Sequence, residues 1–343
     1  MAMPGGPPGA IAIVQRGQSL ATHSFGVSEI GNSRKPRKND YMRVASVAKA
    51  FSGAAALALV DLGVLALDDS IGRWLPNLPF AWHGVTLRQL LDHTSGLPDF
   101  TENSAFREAV AKSLRVAPPP SALLAFVGDE PLNFTPGTQY RYSNSDNIAV
   151  GLMIEAATGM RYEDVLRRRV AKPLNLGKTS LPEDPALPEP FIHGYDFADN
   201  GAAEDVSEIF AAGWAWASGG IVSTPANLNR FIRGYVRGSL FAKRVRAEQR
   251  RWIPGGRSEP PGPGRNSAGL GLFRYQTRCG TVFGHTGNTF GTTQFAAATP
   301  DGTRSVTLSI SLQRTQKSRG WDLAVFEALR GVEEQAVCAA LAG

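Results

Sequence analysis

Strand-forming segments at both ends of the chain enclose a helix-forming middle, and this order limits the folds open to its 343 residues. Near the N-terminus, residues 10–15 and 19–27 are typical of two strands around a short turn. Beyond Gly269, the β-rich segments are 270–277, 281–284, 292–299 and 305–311. Because isolated strand pairs are unstable, we expect both ends to join in one antiparallel sheet, with a closing helix over 321–329.

The middle of the chain has helical spacing and many proline and glycine turns. Apolar periodicity predicts helices over 45–65, 85–91, 148–158, 162–170 and 225–237. The first is rich in Ala and Leu on nearly every face, a pattern typical of a helix buried all round. The fold class is therefore α/β (α+β). We predict a sheet domain from residues 1–75 and 266–343, a mostly helical inserted domain over 76–265, and an active site at their interface.

Charge and hydropathy exclude several function classes. The chain has 36 Lys and Arg against 30 Asp and Glu, a net charge of +6, and its basic residues are scattered. No aromatic residues interleave with the two basic runs, 34–38 and 243–251, so we expect no nucleic-acid partner. The longest apolar stretch, 50–60, is too short for a membrane span. No signal peptide is visible, which predicts a cytoplasmic protein unless a leader has been removed. Oligomeric state is left open.

Cysteine and histidine usage gives no metal motif. The two cysteines, Cys279 and Cys338, are either one optional bridge or two buried thiols, and buried thiols are the preferred interpretation. The five histidines form neither a His-x-x-x-His pair nor a His-Glu-x-x-His motif, which argues against a zinc hydrolase. Walker and dinucleotide glycine loops are also missing, so we expect no metal and no cofactor.

Ser46 and Lys49 are the first candidates for chemistry. Their i, i+3 spacing places both side chains on one helix face, about one turn apart. A serine in the first turn lies where backbone N–H groups favour a developing oxyanion. A lysine in a helix with almost no polar face is costly unless it has a function, and burial can lower its pKa enough to accept the hydroxyl proton. Alone, the pair also fits a helix cap followed by a surface lysine.

Two further motifs follow. Tyr142 and Asn144 lie on a polar loop before a helix and offer an acid/base group and a hydrogen-bonding amide, although a helix cap explains them equally well. His285, Thr286 and Gly287 lie between β-type segments. They offer a donor, a hydroxyl and a close backbone approach at a strand edge, or simply a glycine bulge.

Taken in order, these motifs resemble the serine penicillin-recognising family, which comprises DD-peptidases, class C β-lactamases and related esterases. Its members carry Ser-x-x-Lys, Tyr-x-Asn and Lys/His-Thr-Gly in this order. Segments 87–98, 134–137 and 217–225 are also similar to the family, and the resemblance runs from about residue 10 to 330. It implies a β-lactamase/transpeptidase-like fold and a small-molecule ester, amide or peptide substrate.

The resemblance also implies roles for individual residues. Ser46 would be the acylated nucleophile, Lys49 and Tyr142 would transfer protons, and Asn144 would bind the substrate amide. The oxyanion hole would be the backbone N–H groups of Ser46 and Asn288. The opposite wall of the site would be formed by His285, Thr286 and Gly287. Trp214 and Trp216 either flank the pocket or belong to the core, and the core is the preferred interpretation.

Two departures from the common family pattern affect specificity. Histidine at position 285, where lysine is typical, favours DD-peptidases and esterases over β-lactamases. The run 288–291 replaces the usual small residues, so acyl-group preference is left open. The sequence predicts a serine hydrolase of an ester, peptide or lactam bond. The alternatives are an acyltransferase that uses the same acyl-enzyme and a catalytically silent binding protein on this fold.

Overall fold

The fold is seen in a computed structural model, which describes residues 6–198, 201–315 and 321–342. Within these residues the strands are β1 Gly9–Arg16, β2 Ser19–Gly26, β3 Met42–Arg43, β4 Tyr195–Phe197, β5 Ala203–Asp205, β6 Val222–Ser223, β7 Ile253–Pro254, β8 Arg265–Gly269, β9 Leu272–Thr277, β10 Gly280–Thr289, β11 Thr292–Ala298 and β12 Arg304–Ile310. Eight of the described strands form one antiparallel sheet in the order β2-β1-β12-β11-β10-β9-β8-β7. The predicted sheet built from both ends of the chain is confirmed.

Helices cover both faces of this sheet. The described α-helices are α1 Ala48–Asp61, α2 Ile71–Trp74, α3 Leu87–Leu91, α4 Ser104–Lys112, α5 Pro120–Ala125, α6 Asn144–Thr158, α7 Tyr162–Leu166, α8 Trp216–Gly219, α9 Pro225–Arg237, α10 Lys243–Gln249 and α11 Trp321–Leu341. On β12, Ser305 bonds Asn229 of α9, whereas Val306 packs in one apolar cluster with Val337 of α11. Because successive strand residues face opposite sides, α9 and α11 lie on opposite faces.

Helix α1 is the buried helix that the sequence predicts. Every residue from Ala48 to Leu59 is buried, including Lys49, and the helix packs against α6 and α8. It is preceded by one 3-10 turn, Ala45–Val47, so Ser46 lies in that turn and not in the α-helix itself. The carboxyl end of β10 packs against the same turn, which places the sheet directly beside the start of α1.

Some element boundaries differ from the predicted ones. Strand β10 runs to Thr289, past the predicted end at 284. Beyond Gly284 it no longer pairs with β9, but its pairing with β11 continues to Thr289 and keeps the backbone extended. Helix α6 begins at Asn144 and not at 148. Helix α11 continues to Leu341 because Gly331 is not a C-cap. Strand β7 and the first residue of β8 precede residue 266, and the division into two domains stays a prediction.

The cysteines correct the expectation of two buried thiols. Cys279 and Cys338 form a disulfide with Cα atoms 5.2 Å apart. The bridge joins the turn between β9 and β10 to the last part of α11, and Cys279 is exposed. The sequence could not show this proximity because it depends on how α11 crosses the sheet. The cytoplasmic location stays a prediction.

None of the helices in the described parts of the chain combines the length and apolar character that a bilayer span requires.

Candidate active site

Ser46 lies on a strained turn at the start of α1. Ala45, just before it, has a φ of 51°, a left-handed conformation that costs a non-glycine residue of the order of 1 kcal/mol. Within the described residues, Ala45 is one of four non-glycine residues with positive φ, and His93, whose ring packs against Tyr142, is another. Such strain persists where the surrounding structure fixes the backbone, and here it directs the serine hydroxyl into a cavity.

Lys49 lies below Ser46 with its amine in a ring of oxygen acceptors. Its Nζ is 3.2 Å from Ser46 Oγ, 2.7 Å from Asn144 Oδ1 and 2.8 Å from the backbone oxygen of Ser218. The side chain is 1% exposed, and this burial lowers the pKa of Lys49 to about 7, against the opposing charges of nearby carboxylates. At neutral pH a large fraction of the amine is therefore uncharged and able to take the serine proton.

Tyr142 completes the group on the other side. The Lys49 amine lies 5.0 Å from the centre of its ring, within cation–π range. Its hydroxyl is buried and makes no hydrogen bond of normal geometry within the described residues. Burial raises the pKa of Tyr142 well above its usual value, with the Ser46 hydroxyl acting in the opposite direction. The phenol therefore stays protonated, which makes it a proton donor in the resting site and leaves the role of base to Lys49.

Asn144 is oriented by a carboxylate that sequence patterns did not reveal. Its Nδ2 donates to Asp99 Oδ2 at 2.9 Å, and its backbone N–H donates to the same oxygen at 3.0 Å. This fixes the amide so that its oxygen faces Lys49. Asp99 directly follows the segment that resembles the family, but nothing in its own sequence context indicates this role. The Ser218 contact uses a backbone oxygen, which leaves no side-chain signature to find.

A buried polar pair supports Tyr142 from behind. The rings of His93 and Tyr142 lie with centroids 4.5 Å apart, and His93 Nδ1 lies 2.7 Å from Asp146 Oδ2. Ser95 Oγ donates to the other oxygen of Asp146 at 2.5 Å. Burial lowers the pKa of His93 to about 3 and raises the pKa of Asp146 well above its usual value. Both groups therefore favour their neutral forms.

Strand β10 forms the far side of the site. A Cβ placed on Gly287 would lie 2.6 Å from Val44 O and 3.0 Å from Ser46 N, so only glycine permits this contact between strand and turn. Asn288 follows and lines the cavity, which places its backbone next to that of Ser46. Thr286 is fully buried, and its hydroxyl donates to Pro260 O at 2.5 Å.

The structure does not place His285 on the cavity wall. Its side chain is fully buried, its ring packs edge-on against Phe273 at 5.0 Å, and Nδ1 lies 2.5 Å from Thr286 O. Burial lowers the pKa of His285 to about 3, so the imidazole is neutral. The predicted substrate contact is not seen, because the imidazole lies in the core beneath the wall, and a substrate-binding role for His285 stays a prediction.

The cavity beside Ser46 has a volume of about 750 Å³. Much of its lining is apolar: Phe100, Phe106, Val110, Leu114, Phe210, Trp214 and Phe290. Trp214 is both buried and part of this wall, whereas Trp216 is buried and does not line the cavity. Within the described residues, no cluster of three or more His, Cys, Asp or Glu side chains could hold a metal ion.

Comparison with known proteins gives a consistent result. The family model described as Beta-lactamase matches residues 1–330. Penicillin-binding protein 4* of Bacillus subtilis is 31% identical over 192 residues, which cover 54% of this chain and 40% of that protein. The chain thus spans less than half the length of the curated relatives it matches.

Solved structures also match over nearly the full chain, among them the following two. A D-stereospecific amidohydrolase from a Streptomyces species superposes with a TM-score of 0.81 and 30% identity, covering 94% of each chain. The D-amino acid amidase of Ochrobactrum anthropi, complexed with D-phenylalanine, superposes with a TM-score of 0.82 over 97% of this chain and 94% of its own. At 24% identity, the second match shows the fold alone.

Proposed function

Since the chain belongs to the beta-lactamase family, we propose that it is a serine acyl hydrolase that cleaves amide or ester bonds through an acyl-enzyme on Ser46. One observation carries the proposal above all. The amine of Lys49 lies 3.2 Å from the Ser46 hydroxyl, in a buried position that lowers its pKa to about 7. A serine is a weak nucleophile until a neighbouring base removes its proton, and this lysine meets both the distance and the pKa requirement.

Acylation begins when neutral Lys49 accepts the hydroxyl proton as Ser46 Oγ bonds to the substrate carbonyl carbon. The carbonyl oxygen takes the negative charge, and the backbone N–H groups of Ser46 and Asn288 stabilise it. When the bond to the leaving group breaks, that group needs a proton. Tyr142, which is protonated and next to Lys49, donates its phenolic proton to the leaving group. It then takes a replacement proton from the Lys49 ammonium.

Deacylation repeats these steps with water in place of the serine hydroxyl. Neutral Lys49 takes a proton from the water as its oxygen bonds to the acyl carbon. The ester bond to Ser46 then breaks, Ser46 Oγ receives a proton from Tyr142, and Tyr142 recovers one from the Lys49 ammonium. Chemistry of this kind needs no group beyond the side chains and backbone amides of the site.

The substrate class follows from the cavity and from the relatives. The apolar wall, with five aromatic side chains among the lining residues named above, fits a hydrophobic or aromatic acyl group. The structural relatives are named as a D-stereospecific amidohydrolase and a D-amino acid amidase. We therefore propose amides of hydrophobic D-amino acids as the preferred substrates.

The test of the chemistry is covalent labelling. The protein is treated with a fluorophosphonate and with a penicillin, and the adduct is measured by intact mass and located by peptide mapping. We expect one adduct, on Ser46, which the Ser46→Ala variant loses while its circular dichroism spectrum is unchanged. Ser121→Ala, an exposed serine on α5, is the matched control and should label normally. An adduct on another serine would contradict the assignment of the nucleophile.

The test of substrate class uses D- and L-phenylalaninamide. We expect kcat/KM for the D form to exceed that for the L form at least tenfold. Equal rates would leave the hydrolase proposal in place and reject the stereochemical part of it. Absence of cleavage of a full set of amides and p-nitrophenyl esters, despite labelling of Ser46, would reject hydrolysis as the function.

A further inference from the structure

Glu259 contributes a carboxylate to the cavity that the chemistry above does not use. The residue is exposed and lines the same cavity as Ser46. Within the described residues, it makes no ion pair and no side-chain hydrogen bond. Arg107, on the part of the wall formed by α4, is the other lining residue with a formal charge. An exposed carboxylate with no ionic partner in the cavity that holds the nucleophile is available to a cationic group of a ligand.

The backbone around Glu259 is fixed to the strand that borders the nucleophile. The Thr286 hydroxyl donates to Pro260 O at 2.5 Å, and its oxygen lies 2.8 Å from Ser258 Oγ. Ser258 Oγ also lies 3.1 Å from the Tyr275 hydroxyl. Thr286 immediately precedes Gly287, which touches the backbone of Ser46. The backbone on both sides of Glu259 is therefore held against β10.

The negative charge of Glu259 acts electrostatically on Lys49 and Tyr142. It raises the pKa of Lys49 and the pKa of Tyr142, although burial is the larger effect on both. Glu259 and Ser46 line the same cavity, so a substrate bound over the Ser46 hydroxyl can also contact this carboxylate.

We propose that Glu259 binds a protonated amine of the substrate, located on the carbon next to the scissile carbonyl. The preferred substrates are then amides or esters with a free α-ammonium group, and N-acylated or deaminated analogues bind poorly. This inference rests on the proposed function, since it assumes that the acyl part occupies this cavity. An ammonium–carboxylate pair is a charge-assisted contact that also orients the substrate.

A binding experiment tests the site without turnover. In the Ser46→Ala background, titration calorimetry at pH 7 compares phenethylamine, which is cationic, with 2-phenylethanol, its neutral analogue. We expect phenethylamine to bind at least tenfold more tightly. The Glu259→Gln substitution should abolish this preference, while Glu189→Gln, an exposed glutamate that also precedes a proline and lies outside the cavity, should preserve it. A preference that survives Glu259→Gln, or no preference at all, overturns the proposal.

A kinetic experiment separates this inference from the proposed function. The substrates are the p-nitroanilides of D-phenylalanine, N-acetyl-D-phenylalanine and 3-phenylpropionic acid. We expect a kcat/KM advantage of at least tenfold for the free amine, lost in Glu259→Gln through a higher KM. Equal cleavage of all three, unchanged in that variant, refutes the role of Glu259 and leaves the hydrolase standing. Binding selectivity that depends on Glu259, without cleavage of any of the three, refutes the amidase and leaves the amine site standing.

Discussion

The amide oxygen of Asn144 accepts a hydrogen bond from the amine of Lys49, with 2.7 Å between the two atoms. The other end of the same amide donates to Asp99, so the orientation of Asn144 is fixed from behind. From the sequence, Asn144 is expected to bind the substrate amide. In the structure its oxygen contacts the Lys49 amine, and an acceptor at this distance stabilises the charged ammonium. The role of Asn144 in binding substrate stays a prediction.

The pH dependence of acylation reports directly on this contact. We expect the rate to rise with pH through a limb near pH 7, since only the neutral amine of Lys49 can accept the serine proton. Asn144→Asp places a negative charge beside the ammonium, which raises the pKa of Lys49 and moves the limb to higher pH. Asn144→Ala removes the acceptor and moves it to lower pH. The acylation rates of both variants are measured by stopped flow with a chromogenic ester across the neutral and alkaline pH range. If the two substitutions moved the limb in the same direction, Lys49 would not be the group that titrates.

Gly287 should be as necessary as the catalytic side chains, although it has no side chain of its own. An added Cβ would meet Val44 O at 2.6 Å and Ser46 N at 3.0 Å, both of them backbone atoms that cannot move aside cheaply. We expect Gly287→Ala to lower kcat/KM about 100-fold or more by displacing Ser46 from the oxyanion donors. The control is Gly177→Ala, where a Cβ would meet nothing within 4 Å. Normal activity in Gly287→Ala would show that this close approach is dispensable.

The pair formed by His93 and Asp146 should behave as a neutral unit. Burial raises the pKa of Asp146, and the Ser143 N–H points towards His93 Nδ1 at 3.5 Å, as it would towards an accepting nitrogen. We therefore expect a protonated Asp146 that donates to His93. Asp146→Asn preserves such a bond and should keep kcat/KM within about threefold, whereas Asp146→Leu should lower kcat at least tenfold with little change in KM.

These two variants separate the alternatives. If the pair were ionic, Asn and Leu would both leave an unpaired buried group, and both would lower activity by a similar factor. Circular dichroism and thermal unfolding are measured in parallel, so that a loss of kcat can be assigned to Tyr142 positioning and not to loss of fold.

The contact between Ser46 and Lys49 was predictable from sequence because an i, i+3 spacing brings two side chains together across the 3-10 turn and the start of α1. The sheet built from both ends of the chain was predictable as well, whereas the short strands β3 to β6 were not. Asp99 and Ser218 were not, since their contacts with Asn144 and Lys49 arise only when distant segments pack. His285 shows the same limit: its motif position is recognisable, but whether the ring faces the cavity or the core is decided by how β10 packs on the turn that carries Ser46. Glu259 lies in a proline- and glycine-rich run whose composition indicates only a loop.

The disulfide should contribute measurably to stability. Cys279 and Cys338 are 59 residues apart in sequence, and closing a loop of that length lowers the entropy of the unfolded chain by an amount worth about 4 kcal/mol. We expect reduction by a phosphine to lower the free energy of unfolding by up to this amount in urea titrations. The Cys279→Ser/Cys338→Ser variant should match the reduced protein and show no further response to reductant. Unchanged stability on verified reduction would show that the packing of α11 suffices.

Glu333 should make the folded state less stable as the pH rises. It is buried on α11, its Oε2 has no hydrogen-bond partner within the described residues, and burial raises its pKa from 4.5 to about 8. Because the folded state binds this proton more tightly than the unfolded state does, its contribution is fully present below about pH 4.5. That contribution is lost progressively as the pH rises to about 8.

The variant Glu333→Gln removes this titration. It should equal the parent protein in stability near pH 4 and exceed it by a few kcal/mol above pH 8, since each tenfold difference in proton affinity between the folded and unfolded states corresponds to about 1.4 kcal/mol. Glu327→Gln, an exposed glutamate on the same helix, makes the same change in net charge and should leave the pH profile as it is. Urea unfolding at intervals between pH 4 and 9 measures all three proteins. If the stability gained by Glu333→Gln were the same at pH 4 as at pH 9, the gain would come from packing, and the buried carboxyl would not be the titrating group.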